Sequence, residues 1–266
     1  MLGFDKYGNG DHVVIVLNDW ISDVSGNWEC ARQYLNTEQF TWVFADLRGY
    51  GRSRGLSGAY TLSEAAADVL ALAGSSGWRR FSVVGHSMSC LVALHLAQHH
   101  AEAVERIAIL ASPPPQGFGA DQSTIDSLRD VACGDDAKRF SALQFMLGNH
   151  LSRTWIRFKV ERWRANADIE AVAGFVSMFA RDGLPDPAAK IQTPLLVITG
   201  EQDSEPMRKD AITANLAPIS NDAVVVPLTS CGHYPMQEAP PLVATLLERF
   251  LSGQDVGGAQ PVHILN

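Results

Sequence analysis

Residues 81–90, FSVVGHSMSC, decide how the chain is read. An apolar run of strand length (81–84) leads into Gly85-His86-Ser87-Met88-Ser89, and LVALHLAQHH (91–100) then has the length of a helix. A serine between a buried strand and a buried helix, two residues after a glycine, fits a tight strand–turn–helix. In such a turn the hydroxyl projects above the sheet edge, beside backbone N–H groups at the helix N-terminus. Those N–H groups can stabilise an oxyanion. An ordinary strand–helix turn has the same local pattern, so the rest of the chain must discriminate.

Working outward, VVIVL (13–17), WVFA (42–45), IAIL (107–110), LLVIT (195–199) and VVVPL (224–228) are further apolar runs of strand length. Continuous apolar strands are buried on both faces, and helices usually supply the cover. TLSEAAADVLALAGSSG (61–77) and PPLVATLLERFL (240–251) have helical length. Thr61 with Glu64 three residues on reads as a capping box. The prolines of the second lie in its first turn, where a missing N–H costs little. The alternation predicts an α/β fold: a mostly parallel central sheet flanked by helices on both faces.

The alternation breaks once. Between ILASPPP (109–115) and about residue 194 no strand candidate occurs, yet the gap carries Phe140, Leu143, Met146, Trp155, Phe158, Trp163 and Phe175. That is too apolar for disorder. The reading is a core formed by 1–115 and 189–266, with a helical cap over 116–188. Such an insertion follows the C-terminal end of a strand, where α/β sheets bind ligands. The tail SGQDVGGAQPVHILN (252–266) is expected to be loosely held.

The 266 residues suffice for one large domain with a buried core. The formal net charge of −8 disfavours nucleic acid and anionic membranes as partners. No apolar run approaches the length of a membrane span, and MLGFDKYGNGDH lacks the regions of a signal peptide. A cytoplasmic protein acting on a small molecule is expected. Cys30, Cys90, Cys133 and Cys231 are scattered and suit neither zinc nor a disulfide framework. With no H-E-x-x-H and no dinucleotide glycine fingerprint, neither metal nor organic cofactor is expected.

A serine hydroxyl needs a base to become a nucleophile. His233 lies in SCGHYPMQEAPP (230–241), after the last strand candidate and before the last helix. Asp203 lies in LLVITGEQDSEPM (195–207), just past a strand. Both fall at the sheet edge that carries Ser87, in the chain order Ser, Asp, His. Glu201 and Glu205 flank Asp203, but Glu201 is nearer the strand and Glu205 precedes Pro206. His86 is expected to turn away from Ser87. His95, His99 and His100 lie on the following helix, and His12, His150 and His263 lack an acid and a strand end beside them.

In these features the chain resembles the α/β-hydrolase fold superfamily of the serine-nucleophile type, along nearly its whole length. DLRGYGRS (46–53) is similar to that family's loop after the second parallel strand. GHSMS is similar to its nucleophile elbow, GEQD to its acid loop, and CGHYPMQEAP to its histidine loop. The resemblance implies a serine hydrolase that cleaves an ester or lactone of a small, largely apolar substrate through Ser87, His233 and Asp203. By position, Trp20 and Met88 would supply the oxyanion N–H groups. Asn18, Asp19, Trp155, Phe158 and Trp163 are the expected substrate contacts.

Two departures keep alternatives open. The elbow ends in Ser89 rather than glycine, a G-H-S-x-S form similar to plant strigolactone and karrikin receptors and their bacterial relatives. A slow-turnover ligand receptor is therefore one alternative. A cofactor-free dioxygenase using the His–Asp pair is another, although Met88 stands where those enzymes carry histidine. Dehalogenases of this fold use aspartate at the elbow, which Ser87 argues against. In LNDWISD (17–23), Asn18 and Asp19 replace the family's His-Gly. A carboxylate there opposes oxyanion stabilisation unless it turns away or is paired. Asp19 is expected to turn outward and cap backbone groups.

Overall fold

Every apolar run read as a strand is one in the computed structural model, which describes residues 1–148 and 150–256. His263 and the end of the Gly-rich tail (257–266) lie outside the described residues. In chain order the elements are β1 (Phe4–Tyr7), β2 (His12–Leu17), α1 (Val24–Arg32), β3 (Phe40–Ala45), α2 (Leu62–Ser75), β4 (Phe81–His86), α3 (Ser89–His99) and β5 (Val104–Leu110). There follow α4 (Gln122–Cys133), α5 (Asp136–Leu147), α6 (Arg153–Asn166), α7 (Ile169–Ser177), β6 (Leu195–Gly200), α8 (Lys209–Leu216), β7 (Val224–Leu228), α9 (Pro235–Glu238) and α10 (Pro240–Leu251).

The seven strands form one sheet in the order β1-β3-β2-β4-β5-β6-β7. Only β1 runs antiparallel, against β3; every other neighbouring pair is parallel. All six residues of β3, β4 and β6 are buried, as expected of strands covered on both faces. The chain winds from β2 to β3 on one side, then returns to place β4 on the other. This reversal opens a crevice at the C-terminal strand ends, and Ser87 follows β4 there.

The capping box expected at Thr61 forms with one shift. Thr61 Oγ1 accepts from the Glu64 N–H at 3.3 Å, but the Glu64 carboxylate reaches the Tyr60 N–H at 2.8 Å rather than that of Thr61. Asp23, Asp121, Asp135 and Ser152 cap α1, α4, α5 and α6 through their own side chains. Between β5 and β6 the four helices α4–α7 pack as two pairs, α4 on α7 and α5 on α6. No helix among the described residues is long and apolar enough to cross a membrane.

Candidate active site

Ser87 has φ 52°, in the left-handed region that non-glycine residues seldom occupy. Its surroundings hold it there. The Ser87 N–H donates to the Leu110 carbonyl of β5 at 2.9 Å. A Cβ on Gly85 would lie 2.8 Å from both Ser89 O and Cys90 Cα, so the strand end can meet the helix only at a glycine. Ser89 Oγ accepts from the His86 N–H at 3.0 Å and donates to the His86 carbonyl at 3.1 Å. The second elbow position therefore gains a brace from its hydroxyl, which a glycine would lack.

Ser87 Oγ is 3.0 Å from His233 Nε2, and His233 Nδ1 is 2.9 Å and 3.2 Å from the two Asp203 oxygens. The Asp203 carboxylate also accepts the Ser204 N–H at 2.7 Å, and Arg208 Nε donates to its carbonyl at 2.6 Å. Glu201 and Glu205, the neighbouring acids, are exposed. Burial works to raise the Asp203 pKa, but His233 and the Ser204 N–H outweigh it and hold the carboxyl below the usual carboxylate range. At His233 burial works downward, and the Asp203 charge and hydrogen bond lift the pKa above its ordinary value. This is the pattern of an imidazole prepared to take a proton from Ser87.

Two supports of His233 escaped the sequence reading. His86 does not simply turn away: its Nε2 donates to the His233 carbonyl at 2.8 Å, and burial pushes its pKa down to about 4. Glu238, at the end of α9, accepts from the N–H groups of Gly232 at 2.7 Å and Tyr234 at 2.9 Å. A histidine loop followed at five residues by a carboxylate is a signal that could have been read as such a cap.

Trp20 and Met88 both line the cavity beside Ser87. Among the described residues, neither backbone N–H has a hydrogen-bond acceptor. The Trp20 side chain is pinned, its indole donating to the Val172 carbonyl of α7 at 2.7 Å. Its own carbonyl accepts from the Tyr50 hydroxyl at 2.6 Å. Asp19 caps backbone as expected, with Oδ1 accepting from the N–H groups of Ile21 at 3.1 Å and Ser22 at 2.7 Å. The expected outward pose is corrected: Asp19 is 2% exposed, and Oδ2 faces Lys159 Nζ and His86 Nδ1 at 3.9 Å each. Burial works to raise its pKa, but Lys159, His86 and the Ser22 N–H hold it below the usual range.

Above Ser87 lies a cavity of about 260 Å³ lined largely by apolar side chains, among them Ile21, Pro113, Leu128, Met146, Phe179 and Met207. A second chamber of about 710 Å³ shares Trp20, Leu128 and Met146 with it and runs between α4 and α5. Trp163 lines this second chamber and packs on Trp20 with ring centroids 5.7 Å apart. Three expected substrate contacts line neither chamber. Asn18 bonds backbone instead, accepting from the Leu47 N–H and donating to the Asp19 carbonyl. Trp155 packs against Tyr234 with ring centroids 4.8 Å apart and the planes tilted by 59°. Phe158 is 39% exposed on α6.

A sequence profile described as the alpha/beta hydrolase family matches residues 14–246. The chain is 30% identical over 219 residues to the pimeloyl-(acyl-carrier protein) methyl ester esterase of Salmonella paratyphi A, covering 78% of this chain and 82% of that one. In structure it is similar to the enol-lactonase of Burkholderia xenovorans LB400, with TM-score 0.80 and 23% identity over 94% of this chain and 96% of that one. An esterase from Exiguobacterium antarcticum gives TM-score 0.80 at 15% identity, covering 94% and 95%. A match that runs from the second strand into the last helix, on this sheet order, makes the chain a member of the α/β hydrolase family of enzymes.

Proposed function

We propose that this protein is a serine esterase or lactonase acting on small, largely apolar carboxylic esters through an acyl-enzyme. The observation that carries the reading is the hydrogen-bonded chain Ser87–His233–Asp203 on the floor of an apolar cavity, with two unengaged backbone N–H groups beside it. Ser87 Oγ attacks the substrate carbonyl carbon while His233 Nε2 takes the hydroxyl proton. The Trp20 and Met88 N–H groups stabilise the oxyanion. Asp203 fixes the tautomer of His233 and stabilises its imidazolium. As the tetrahedral intermediate collapses, His233 gives its proton to the leaving alkoxide, and Ser87 keeps the acyl group. His233 next deprotonates water, which attacks the acyl carbon, and the reverse proton transfer releases Ser87.

The lining favours alkyl or aryl groups over charged ones, because a desolvated charge without a partner is costly. The names of the similar proteins, a methyl ester esterase and an enol-lactonase, agree with this chemistry. A panel of p-nitrophenyl esters of increasing chain length and of small lactones tests the reading. Sustained turnover of order one per second or faster is expected on a suitable member. A single burst of one equivalent, followed by a stalled protein, would replace it with the slow-turnover receptor.

A further inference from the structure

Lys159 is 0% exposed and comes from the cap, on α6. Its ammonium enters the core beneath the Asp19–Ser22 turn, where it donates to Ser22 Oγ and Asn27 Oδ1, both at 2.7 Å. It stands 3.9 Å from Asp19 Oδ2, an oxygen that also faces His86 Nδ1 at 3.9 Å and the buried Tyr234 hydroxyl. The nitrogen also lies 4.3 Å from the ring centroid of Tyr234, the residue after His233. Lys159 lines neither chamber, so it has no route to the substrate.

A buried carboxylate adjoins Trp20, the residue whose N–H faces the developing oxyanion. Left uncompensated, its charge opposes the negative charge of the tetrahedral intermediate. A buried charge is tolerated when an opposite charge shares its low-dielectric surroundings. The compensating ammonium is fixed to α6, whose Ile156, Val160 and Trp163 pack into the hydrophobic cluster of the sheet. We propose that Lys159 is a positioning residue that makes the Asp19-bearing oxyanion loop competent, so that turnover requires α6 to be seated with its ammonium beside Asp19. α6 then does more than pack over the sheet: without its ammonium, the Asp19 charge next to the oxyanion site keeps its hydrogen bonds from Ile21 and Ser22 but loses its cationic partner. This inference rests on the esterase reading and adds a coupling between cap and oxyanion loop.

The coupling is tested with Lys159→Gln, which keeps donors for Ser22 and Asn27 but removes the charge, in the wild-type and Asp19→Asn backgrounds. Asparagine retains the Oδ1 acceptor for the Ile21 and Ser22 N–H groups. Steady-state kinetics on the best ester of the panel are expected to show K159Q lowering kcat at least tenfold, with KM within about twofold. In the D19N background the same change is expected to alter kcat less than threefold, because the carboxylate beside Trp20 is then gone. Equal losses in both backgrounds, or a loss confined to KM, would overturn the proposal. Should K159Q alone fail to fold, the D19N pair carries the test, and a tenfold loss there overturns it. A wild-type protein without ester turnover would refute the esterase reading instead, so the two failures are distinguishable.

Discussion

Replacing Asp203 by asparagine changes one atom, and the surrounding hydrogen bonds dictate what that atom does. Asp203 Oδ1 accepts the Ser204 N–H at 2.7 Å, while Oδ2 faces His233 Nδ1 at 2.9 Å. In Asp203→Asn the amide oxygen must stay toward Ser204, since the flipped amide would set its NH2 against the Ser204 N–H. The NH2 then faces His233 Nδ1, which must become the acceptor. The ring proton moves to Nε2, the nitrogen that stands 3.0 Å from Ser87 Oγ, and His233 can no longer take the serine's proton. The wrong tautomer costs about 10⁴ in kcat in a serine-protease triad, or about 5.4 kcal/mol of barrier at ~1.36 kcal/mol per tenfold. The same order is expected here, with KM little changed and the thermal midpoint within a few degrees of wild type. The assay is steady-state hydrolysis of a p-nitrophenyl ester by both proteins, with melting curves run alongside. A folded Asp203→Asn variant within tenfold of the wild-type kcat would refute the tautomer argument. A large loss in Glu201→Gln or Glu205→Gln would then move the acid to a neighbour.

Three further outcomes are expected. The pH profile of kcat/KM should rise as His233 loses its proton, with its midpoint above 6.5 because Asp203 lifts that pKa; a midpoint well below 6.5 would contradict the pairing. Gly85→Ala should lower both kcat, by more than tenfold, and the thermal midpoint, since its Cβ would stand 2.8 Å from backbone atoms of Ser89 and Cys90; an unchanged kcat would mean the elbow is not tightly built. Trp163→Ala removes a side chain that is 2% exposed and lines the second chamber. It should cost about 3–5 kcal/mol of stability, the usual range for a buried aromatic, and shift the preferred ester chain length upward; an unaltered chain-length profile would show that substrates do not reach that chamber.

The parallel strands were legible because each is buried on both faces and therefore apolar throughout, as FSVV (81–84) and LLVIT (195–199) are. β1 was not: FDKY carries two charged residues in four and pairs on one side only, against β3. Ser87, Asp203 and His233 could be chosen because strand ends fix where loops emerge, and the structure brings these three into hydrogen-bond reach. Side-chain direction on α6 was not readable in the same way. Phe158 and Lys159 are adjacent on α6, yet the phenylalanine faces outward and the lysine is fully buried. Residue type alone would assign them the opposite way. What inverts the order is the Asp19 carboxylate, 140 residues away in the chain, which gives the ammonium a partner. Such long-range pairings leave no local trace in the sequence.

Acyl-enzyme formation on Ser87 is read by intact-protein mass spectrometry after reaction with a fluorophosphonate probe. One adduct per chain mapping to Ser87 is expected, with loss of ester turnover in step with labelling and neither labelling nor turnover in Ser87→Ala. A Ser87→Ala protein that labels and turns over like wild type would contradict it.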